Sequence, residues 1–493
     1  MRPRGYITGS TRGIRRRIVA ILIAAAALIA VAAPASAQAL GLSGLIAEPA
    51  NTEAGAHSNF NIHIGFTSAS NDVKNLTIAL PPGLVGDPNA TPFCSVAQLD
   101  ADACPSNTKV GTASSNVTLL SLIPNPLPVS GDIYNVQAHP GEPARFGIVL
   151  RALPINVPLG LVLPPIVLQS GVELRQGDFG LNTVIKDIPN SATVLDLGVP
   201  VSIPIDITAM NVTLNGVAGG KPFMRNPTSC APAVTNFTAV PYSGSTATGH
   251  ASFTPTNCGS LDFSPTLAVN INSPSHAVGA RPDLSTAIDQ GPDEAGLKDA
   301  KVFIPPDIGV DINRLTAPGC APSDFAAGAC PPSTIVGSAL AASPLLSQPL
   351  TGPVALVANP AGGLPVIGLD LQGQLHLQLT GVLGLDKTTT FTGLPDIPIA
   401  HFALSFTGGP NGLLTTSRDI CAPPPPVFHA DFAGHNGAMT SVDSAASVTC
   451  GSGGAVRGKC AKAKKKHKKH RAAEAKKHKK KSCKKKKKHK KRL

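Results

Sequence analysis

Short apolar or alternating runs, bounded by proline and glycine, recur along the whole chain. Their length is typical of β-strands, and runs with the 3.6-residue period of a helix are nearly absent. One helical turn is predicted at 95–102. The predicted strands are 60–66, 76–80, 146–150, 172–174, 203–214, 302–304, 368–371, 375–379 and 399–406. This pattern predicts an all-β fold.

One cysteine motif is written twice. The pattern C-x9-C-P-x-x-T-x-V-G begins at Cys94 and again at Cys320. A second pair of cysteines follows each motif, with 27 residues between its members in the first copy and 28 in the second. Eight cysteines therefore form two equivalent sets, which are Cys94, Cys104, Cys230 and Cys258, and Cys320, Cys330, Cys421 and Cys450.

The spacing of these cysteines favours local disulfides. Four cysteines allow three pairings in each copy. The distance between the pairs differs between copies, whereas the spacing within each pair is nearly constant. We therefore expect Cys94–Cys104, Cys230–Cys258, Cys320–Cys330 and Cys421–Cys450. Cys460 and Cys483 lie outside both sets, where they close a loop of their own or couple chains to one another.

The first residues have the pattern of an export signal. A basic segment ending at Arg17 precedes an apolar run of 14 residues, 18–31, and the small-x-small sequence Ala35-Ser36-Ala37 follows. The run is shorter than the roughly 20 residues of a membrane-spanning helix. We expect a signal peptide at 1–37, a first β module at 38–264, a second at 265–450, and a tail at 451–493. Each module is either one large sandwich or two smaller ones.

The net charge of +13 is unevenly distributed. Residues 457–493 carry 22 lysines and arginines against one glutamate, and residues 1–37 carry six arginines and no acid. The segment between them therefore has a net charge of −14. Like charge at the density of the tail predicts a disordered segment, so any attraction to a polyanion is expected there.

The body contains no recognisable catalytic or metal-binding motif. It lacks G-x-S-x-G, H-E-x-x-H and a phosphate loop, and its nine histidines do not have the spacing of a zinc site. His429, Asp431 and His435 form a local cluster that we interpret as a polar surface loop. We expect a protein that is not an enzyme and has no metal, cofactor or small-molecule substrate, although carboxylates that meet only in space would escape this reasoning.

Three further tracts carry a resemblance to a known group of proteins. They are L-P-P-G-L-V-G-D-P at 80–88, I-Y-N-V-x-x-x-P-G-x-P-A-x-F-G at 133–147, and P-F-M-R-N-P-T-S-C at 222–230. With the duplicated cysteine motif, the chain resembles large secreted repeat proteins of high-GC Gram-positive bacteria, which are functionally uncharacterised. The second copy lacks Y-N-V and N-P-T-S-C. The resemblance implies an exported envelope protein and supplies no catalytic residues.

The sequence thus predicts tandem β-sandwich-like modules with local disulfides and a disordered basic tail, located at the cell surface or outside the cell. We expect a structural or adhesive envelope protein whose tail binds anionic envelope polymers or the membrane surface. The alternative is a secreted binder of extracellular DNA or acidic polysaccharide with a passive body. The residues expected to bind the polyanion are Lys464, Lys465, Lys466, Lys468, Lys469, Lys484, Lys485, Lys486, Lys487 and Lys488.

Overall fold

The computed structural model describes residues 39–67, 72–119, 126–152, 161–162, 164–196 and 199–451. The predicted signal peptide, Cys460, Cys483 and the lysines of the tail lie outside these residues. Those described belong to one compact unit that ends at Gly451.

The first half of the described chain forms one large sheet. Its strands follow the order β1-β2-β12-β5-β6-β7-β9-β10-β3-β16-β17, with β8 and β11 attached beside β12, and the short ladders β4–β15 and β13–β14 lie outside it. The strands are β1 Leu42–Pro49, β2 Phe60–Phe66, β3 Val73–Ala79, β4 Val85–Gly86, β5 Lys109–Leu119, β6 Leu127–Val136, β7 Arg145–Ala152, β8 Leu161–Val162, β9 Ile166–Leu174, β10 Leu181–Ile185, β11 Ser191–Asp196, β12 Val199–Leu214, β13 Val217–Ala218, β14 Lys221–Pro222, β15 Met224–Arg225, β16 Ala233–Pro241 and β17 Ala247–Phe253.

The second half forms another large sheet. Its order is β30-β29-β20-β26-β25-β24-β23-β22-β27-β19-β18-β31, and β21 pairs with β28 outside it. The strands are β18 Thr266–Ser273, β19 Asp283–Asp289, β20 Leu297–Phe303, β21 Ile308–Val310, β22 Ile335–Ala342, β23 Leu350–Val357, β24 Val366–Gln372, β25 His376–Leu383, β26 Thr388–Phe391, β27 His401–Phe406, β28 Leu414–Thr416, β29 Val427–Gly434, β30 Met439–Ala445 and β31 Ser447–Cys450.

Eleven strands follow one another in the same order in both sheets. Reading from β1 to β17 in the first sheet gives the same succession of connections as reading from β18 to β30 in the second. The short ladders β4–β15 and β21–β28 also correspond. The all-β prediction with local disulfides is confirmed, and each half is one continuous sheet. Both sheets lie within one compact unit, so the independence of modules 38–264 and 265–450 stays a prediction.

Each sheet curls so that strands at or next to its two ends come into contact. At the end of the first sheet, β1 lies against β17, and Glu53 forms a bridge with Thr256 just beyond these strands. In the second sheet, β30 lies against β18. Alternate residues of a strand point to opposite faces of the sheet, and in β18 they are alternately exposed and buried. The sheet therefore has one apolar face, which is covered when the sheet curls. The apolar faces therefore turn inward.

Two separate cores result from this curling. In the first, Phe60 is fully buried and packs edge-on against Phe253, with ring centroids 6.1 Å apart. In the second, Phe428 and Phe432 of β29 are buried among leucine and isoleucine side chains. Each such side chain contributes about 1.5–3 kcal/mol by leaving water, so the cores dominate the stability of both halves.

Helical structure is short and lies between the strands. The helix predicted at 95–102 is observed as α1, Val96–Asp100, whose N-cap Ser95 accepts a hydrogen bond from the Gln98 amide in a capping box. The other helices are α2 Ile312–Leu315 and α3 Pro322–Ala326, with 3-10 turns at Ser106–Thr108, Cys258–Ser260 and Pro332–Thr334. Among the described residues, no helix combines the length and apolar character needed to cross a lipid bilayer.

Candidate functional site

Two disulfides hold the short helices against the outside of the sheets. The Cα atoms of Cys94 and Cys104 are 5.4 Å apart and enclose α1, and those of Cys320 and Cys330 are 5.3 Å apart and enclose α3. The amide of Cys94 donates to the carbonyl of Asn135. At the equivalent place the Cys320 amide donates to the Leu356 carbonyl, so each loop is bonded to the same strand of its sheet.

The duplicated motif has a local physical explanation. Thr108 Oγ1 donates to the Pro105 carbonyl at 2.6 Å, and Thr334 Oγ1 donates to the Pro331 carbonyl at 2.7 Å. This bond closes the 3-10 turn that leads into β5 or β22. The glycine that ends the motif lies so close to the neighbouring strand that a side chain there would collide with a backbone carbonyl. The motif therefore specifies a turn and a close strand contact.

The remaining two disulfides lie near the ends of the sheets. Cys230 and Cys258 have Cα atoms 5.9 Å apart, and those of Cys421 and Cys450 are 6.1 Å apart. His276 lies beside the second of these pairs. Both sulfur atoms there are bonded to each other, so they are not thiolate ligands for a metal ion. The four disulfides observed among the described residues are those expected from the cysteine spacing.

The three tracts 80–88, 133–147 and 222–230 meet at one apolar cavity. The cavity has a volume of about 110 Å³ and lies between the two sheets. Leu84 comes from the first tract, Phe146 from the second, and Phe223 and Met224 from the third. The second half contributes mainly leucines, including Leu346. Segments far apart in sequence therefore build a single wall.

A second apolar cavity adjoins the first. It has a volume of about 100 Å³ and lies within the second sheet, between side chains such as Ile288, Phe391 and Phe428. The residues that line both cavities are Ser343, Leu346, Leu350, Leu377, Pro395 and Ile397. The two cavities are therefore immediate neighbours.

A polar surface cleft adjoins the first cavity on another side. Pro88, Pro143 and Ala144 line both spaces, and the cleft has a volume of about 420 Å³. It is crossed by hydrogen bonds between the halves, because Asn89 Nδ2 donates to the Pro344 carbonyl at 3.1 Å and Gln374 Nε2 donates to the Pro143 carbonyl at 3.2 Å. A polar space and an apolar space therefore lie side by side and share part of one wall.

Phe179 reaches the first cavity from a strained turn. It lies between β9 and β10 with a φ of +57°, a region that residues other than glycine rarely occupy. Arg175 stabilises this turn, because its guanidinium bonds to the Asp178 carboxylate and to the Leu80 carbonyl. The pKa of Asp178 is lowered by this hydrogen bond to Arg175. The turn places the ring of a first-half residue against the core of the second half.

A buried polar cluster also joins the halves. The carboxylate of Asp396 accepts hydrogen bonds from the amide and the hydroxyl of Thr228 at 2.7 and 2.5 Å. Arg225 is 4% exposed and donates to the Glu294 carbonyl, while its Nε makes no hydrogen bond within the described part of the chain. Burial lowers the pKa of this guanidinium, and the carboxylate of Asp396 opposes that effect. The cluster fixes one half to the other.

Asp72 and Asp206 form a pair of carboxyl groups that the sequence motifs did not indicate. The two side chains are hydrogen-bonded, and Asp206 is buried on β12. Burial, followed by repulsion from the Asp206 carboxylate, raises the pKa of Asp72 to about 6. Burial also raises the pKa of Asp206. The pair therefore takes up a proton under mildly acidic conditions.

The predicted histidine cluster is divided in the structure. His429 Nδ1 lies 2.7 Å from Asp443 Oδ1 and its Nε2 lies 3.1 Å from Asp431 Oδ1, all on the exposed surface of β29 and β30. The hydrogen bond to Asp443 raises the pKa of His429. His435 bonds instead to the Leu394 carbonyl. His429 and Asp431 thus lie on the surface, as expected, but on a strand and not in the expected loop, and His435 is not part of their ion-pair group.

The cavities are features that the sequence analysis missed. A cavity remains where side chains from distant segments do not fill the space between them, so a local sequence pattern does not predict it. The available signal was the concentration of distinctive tracts at 80–88, 133–147 and 222–230. The lysines of the tail, which were the predicted binding residues, lie outside the described residues.

Comparisons with known proteins give distant matches only. No protein-family model and no curated protein matches the chain. Among solved structures, the N-terminal domain of the Streptococcus gordonii adhesin Sgo0707 is 6% identical with a TM-score of 0.18, and the match covers 80% of this chain and 62% of that one. The chain thus spans less than two thirds of that structure. A putative membrane anchored protein from Corynebacterium diphtheriae is 10% identical with a TM-score of 0.18, covering 83% of this chain and 95% of that one. Neither likeness is close enough to carry an argument about function.

Proposed function

We propose that this protein is an exported component of the cell envelope with a structural or adhesive role. The observation that carries the proposal is the pairing of all eight body cysteines in local disulfides. Disulfides persist in oxidising surroundings outside the cytoplasm. The export pattern at 1–37 supports the same location. The role is non-enzymatic, and the exposure of the His429 group on the sheet surface is consistent with that view.

The proposal assigns attachment to the basic tail. The segment between residues 37 and 457 is acidic and repels anionic polymers, whereas 22 basic residues follow it. A lysine or arginine near an anionic membrane contributes about 1 kcal/mol, so several acting together hold the protein firmly at moderate salt. Teichoic-type wall polymers, acidic polysaccharide and anionic lipid all offer the required charge. Nucleic acid offers it as well, which is the alternative function.

The shared order of eleven strands supports an internal duplication. The two halves differ where they meet, because the tract 222–230 bonds to the second half, and its sequence N-P-T-S-C is not repeated after β28, the strand that corresponds to β15. Two joined copies of a module share one junction, so a tract that bonds across the junction is needed in only one of the copies. In this proposal the paired halves act as one rigid body that presents loops and sheet surfaces.

The tail is tested by retention on purified cell envelopes. We compare the intact mature protein with a version ending at Gly454 while salt is raised from about 50 mM to about 1 M, a range over which charge attraction is screened. The intact protein should be retained at low salt and released as salt rises, whereas the truncated protein should wash through. Changing the ten predicted lysines to glutamine leaves twelve basic residues in the tail, so it should shift release to lower salt without abolishing retention, and changing them to arginine should not shift it.

The same proteins distinguish the alternative. Binding to duplex DNA should depend steeply on salt if the tail contacts several phosphates. Treating the envelopes with nuclease leaves retention unchanged if envelope polymers or lipids are the target, and abolishes it if DNA is. Retention of the truncated version at the level of the intact protein would remove the tail from the mechanism and assign attachment to the body.

A further inference from the structure

We propose that the protein binds a single-chain lipid with an uncharged, hydroxyl-bearing head. The hydrocarbon chain occupies the two adjoining apolar cavities, and the head occupies the polar cleft beside the first cavity. This activity is separate from attachment through the tail, and it depends only on the body of the protein.

The lining of the two adjoining cavities suits a hydrocarbon chain. The two cavities share walls formed by Leu346, Leu350 and Leu377, so together they extend from the junction into the core of the second half. Both are lined almost entirely by aliphatic and aromatic side chains. Apolar cavities of this order of size remain dry and accept apolar molecules, because water there finds no hydrogen-bonding partners. A flexible chain fills two narrow neighbouring spaces better than a rigid ring does.

The few polar groups beside the cavities are already engaged. Asn135 is buried, and its Nδ2 donates to the Pro88 carbonyl at 2.8 Å. Thr286 Oγ1 donates to the Leu404 carbonyl, and Gln290 Nε2 donates to the Ala295 carbonyl. A polar ligand in these cavities would have to give up its bonds to water without replacing them. Only the apolar part of a ligand therefore enters.

The polar cleft beside the first cavity supplies the place for the head of the lipid. Amide and hydroxyl side chains line it, among them Asn89, Gln137, Ser347 and Gln374. Asn89 and Gln374 each use one amide hydrogen in bonds across the cleft, and the second amide hydrogen of each is the donor that a ligand head would meet in the cleft. Its charged group is neutralised, because both carboxylate oxygens of Glu142 accept hydrogen bonds from Arg145, at 3.0 and 2.6 Å. Neutral donors and acceptors without a free charge favour a hydroxyl-bearing head over an ionic one.

The wall at Phe179 is consistent with a binding role. A phenylalanine at φ +57° has a cost in backbone strain, and strained residues that persist are concentrated at functional sites. Here the strained residue places its aromatic ring at the cavity and against the core of the second half. In this proposal, the strained conformation is kept because it places the Phe179 ring in the cavity lining.

Titration calorimetry on the mature protein tests the proposal. The probe is monomeric 1-monolauroylglycerol below its aggregation concentration, with the eight-carbon and ten-carbon homologues for comparison. Affinity should rise about fourfold for each added methylene, and the heat-capacity change should be negative. Glycerol should not bind. Lauric acid and lauroylcholine should bind more weakly than 1-monolauroylglycerol, because their heads are charged.

Site-specific variants locate the binding. Leu346 lies in the loop between β22 and β23, so L346W fills the space between the cavities without interrupting a strand. It should weaken binding by at least about tenfold, since the cavity can accept either the indole or the lipid chain. The matched control is L385W, at a leucine that is 91% exposed. If L346W is unfolded by circular dichroism, L345W on the same loop replaces it.

Several results would overturn the proposal. The first is that the protein does not bind monomeric 1-monolauroylglycerol, or binds phosphatidylcholine vesicles but no monomeric lipid. The second is an affinity that does not depend on the length of the lipid chain. The third is equal affinity of the L346W and L385W proteins for the lipid. Tighter binding of lauric acid or lauroylcholine would overturn the assignment of the head. None of these outcomes depends on the tail, so they are distinct from failure of the envelope experiment.

Discussion

Thr228 and Asp396, which are 168 positions apart in the chain, share two hydrogen bonds across the junction of the two halves. Both side chains are buried, and the Thr228 hydroxyl also accepts a hydrogen bond from the Gly296 amide at 3.1 Å. Gly83, at a φ of +85°, lies so close to Asp396 that a side chain there would collide with its carboxylate. This buried carboxylate is thus satisfied by one tract of the first half.

The first prediction concerns this contact. Thr228→Val removes a hydroxyl that bonds to a charged group, which should lower the free energy of unfolding by about 1.5–3 kcal/mol. Urea unfolding followed by circular dichroism measures the change. The control is Thr208→Val, since the Thr208 hydroxyl is exposed and bonds only to the Asn116 carbonyl. Equal effects of the two substitutions would mean that the junction does not contribute to stability.

The second prediction concerns the disulfides. Paired alanine substitutions remove one disulfide at a time. On the chain-entropy model, loss of Cys94–Cys104, which closes an 11-residue loop, lowers the free energy of unfolding by about 2.8 kcal/mol, and loss of Cys230–Cys258, which closes a 29-residue loop, lowers it by about 3.6 kcal/mol. The order of the two losses, measured by urea unfolding under oxidising conditions, is the expected result. Non-reducing peptide mapping should recover all four links, and a link between the two halves would contradict the assignment.

The third prediction concerns pH. Asp72 has a pKa of about 6 in the folded protein, against about 3.9 for an unperturbed aspartate. The folded state therefore binds this proton more tightly. The stabilisation is fully present below the unfolded pKa and is lost as pH rises through about 6. Asp72→Asn should reduce the loss of stability between pH 5 and 7.5, as measured by unfolding at both values.

Asp187 provides the control for this titration. Its carboxylate is exposed and lies 3.8 Å from the Nζ atom of Lys74, a residue two positions after Asp72. Asp187→Asn should leave the stability difference between the two pH values unchanged. If Asp72→Asn also leaves it unchanged, the carboxyl pair does not titrate in this range.

The fourth prediction concerns two glycines in equivalent positions. Gly131 of β6 and Gly352 of β23 lie so close to the next strand that a methyl group would collide with the carbonyl of Val149 or Asp370. Alanine at either position should lower the melting temperature and cost about 1–3 kcal/mol, because the strands must separate. Gly177 has no neighbour in the way and serves as the control. Tolerance of alanine at Gly131 and Gly352 would contradict the close approach.

The strands were predictable where apolar runs were dense. All nine predicted runs overlap observed strands, and the turn at α1 follows from its Ser95 cap. Many other strands were missed, among them β18, although its strict alternation of polar and apolar residues was visible in the sequence. The local disulfides were predictable because cysteine spacing constrains which sulfurs can meet.

The candidate site was not predictable in the same way. The Thr228–Asp396 contact and the pairing of Asp72 with Asp206 join residues that only the curled sheets bring together. A glycine can supply either a positive φ or a close approach, and at positions 131, 147, 352 and 368 the structure shows close approach. Deciding between these alternatives needed the neighbouring strand or side chain, which a local pattern does not contain.

The last strand bears on how the protein withstands mechanical force. β31 pairs in parallel with β18, the Gly451 amide donates to the Ser273 carbonyl, and Cys450 is covalently joined to Cys421. A pull on the chain beyond Gly451 would therefore load these backbone hydrogen bonds in shear, and the covalent link would stop the strand from peeling away. Tension applied beyond Gly451 is thus shared with the segment around Cys421.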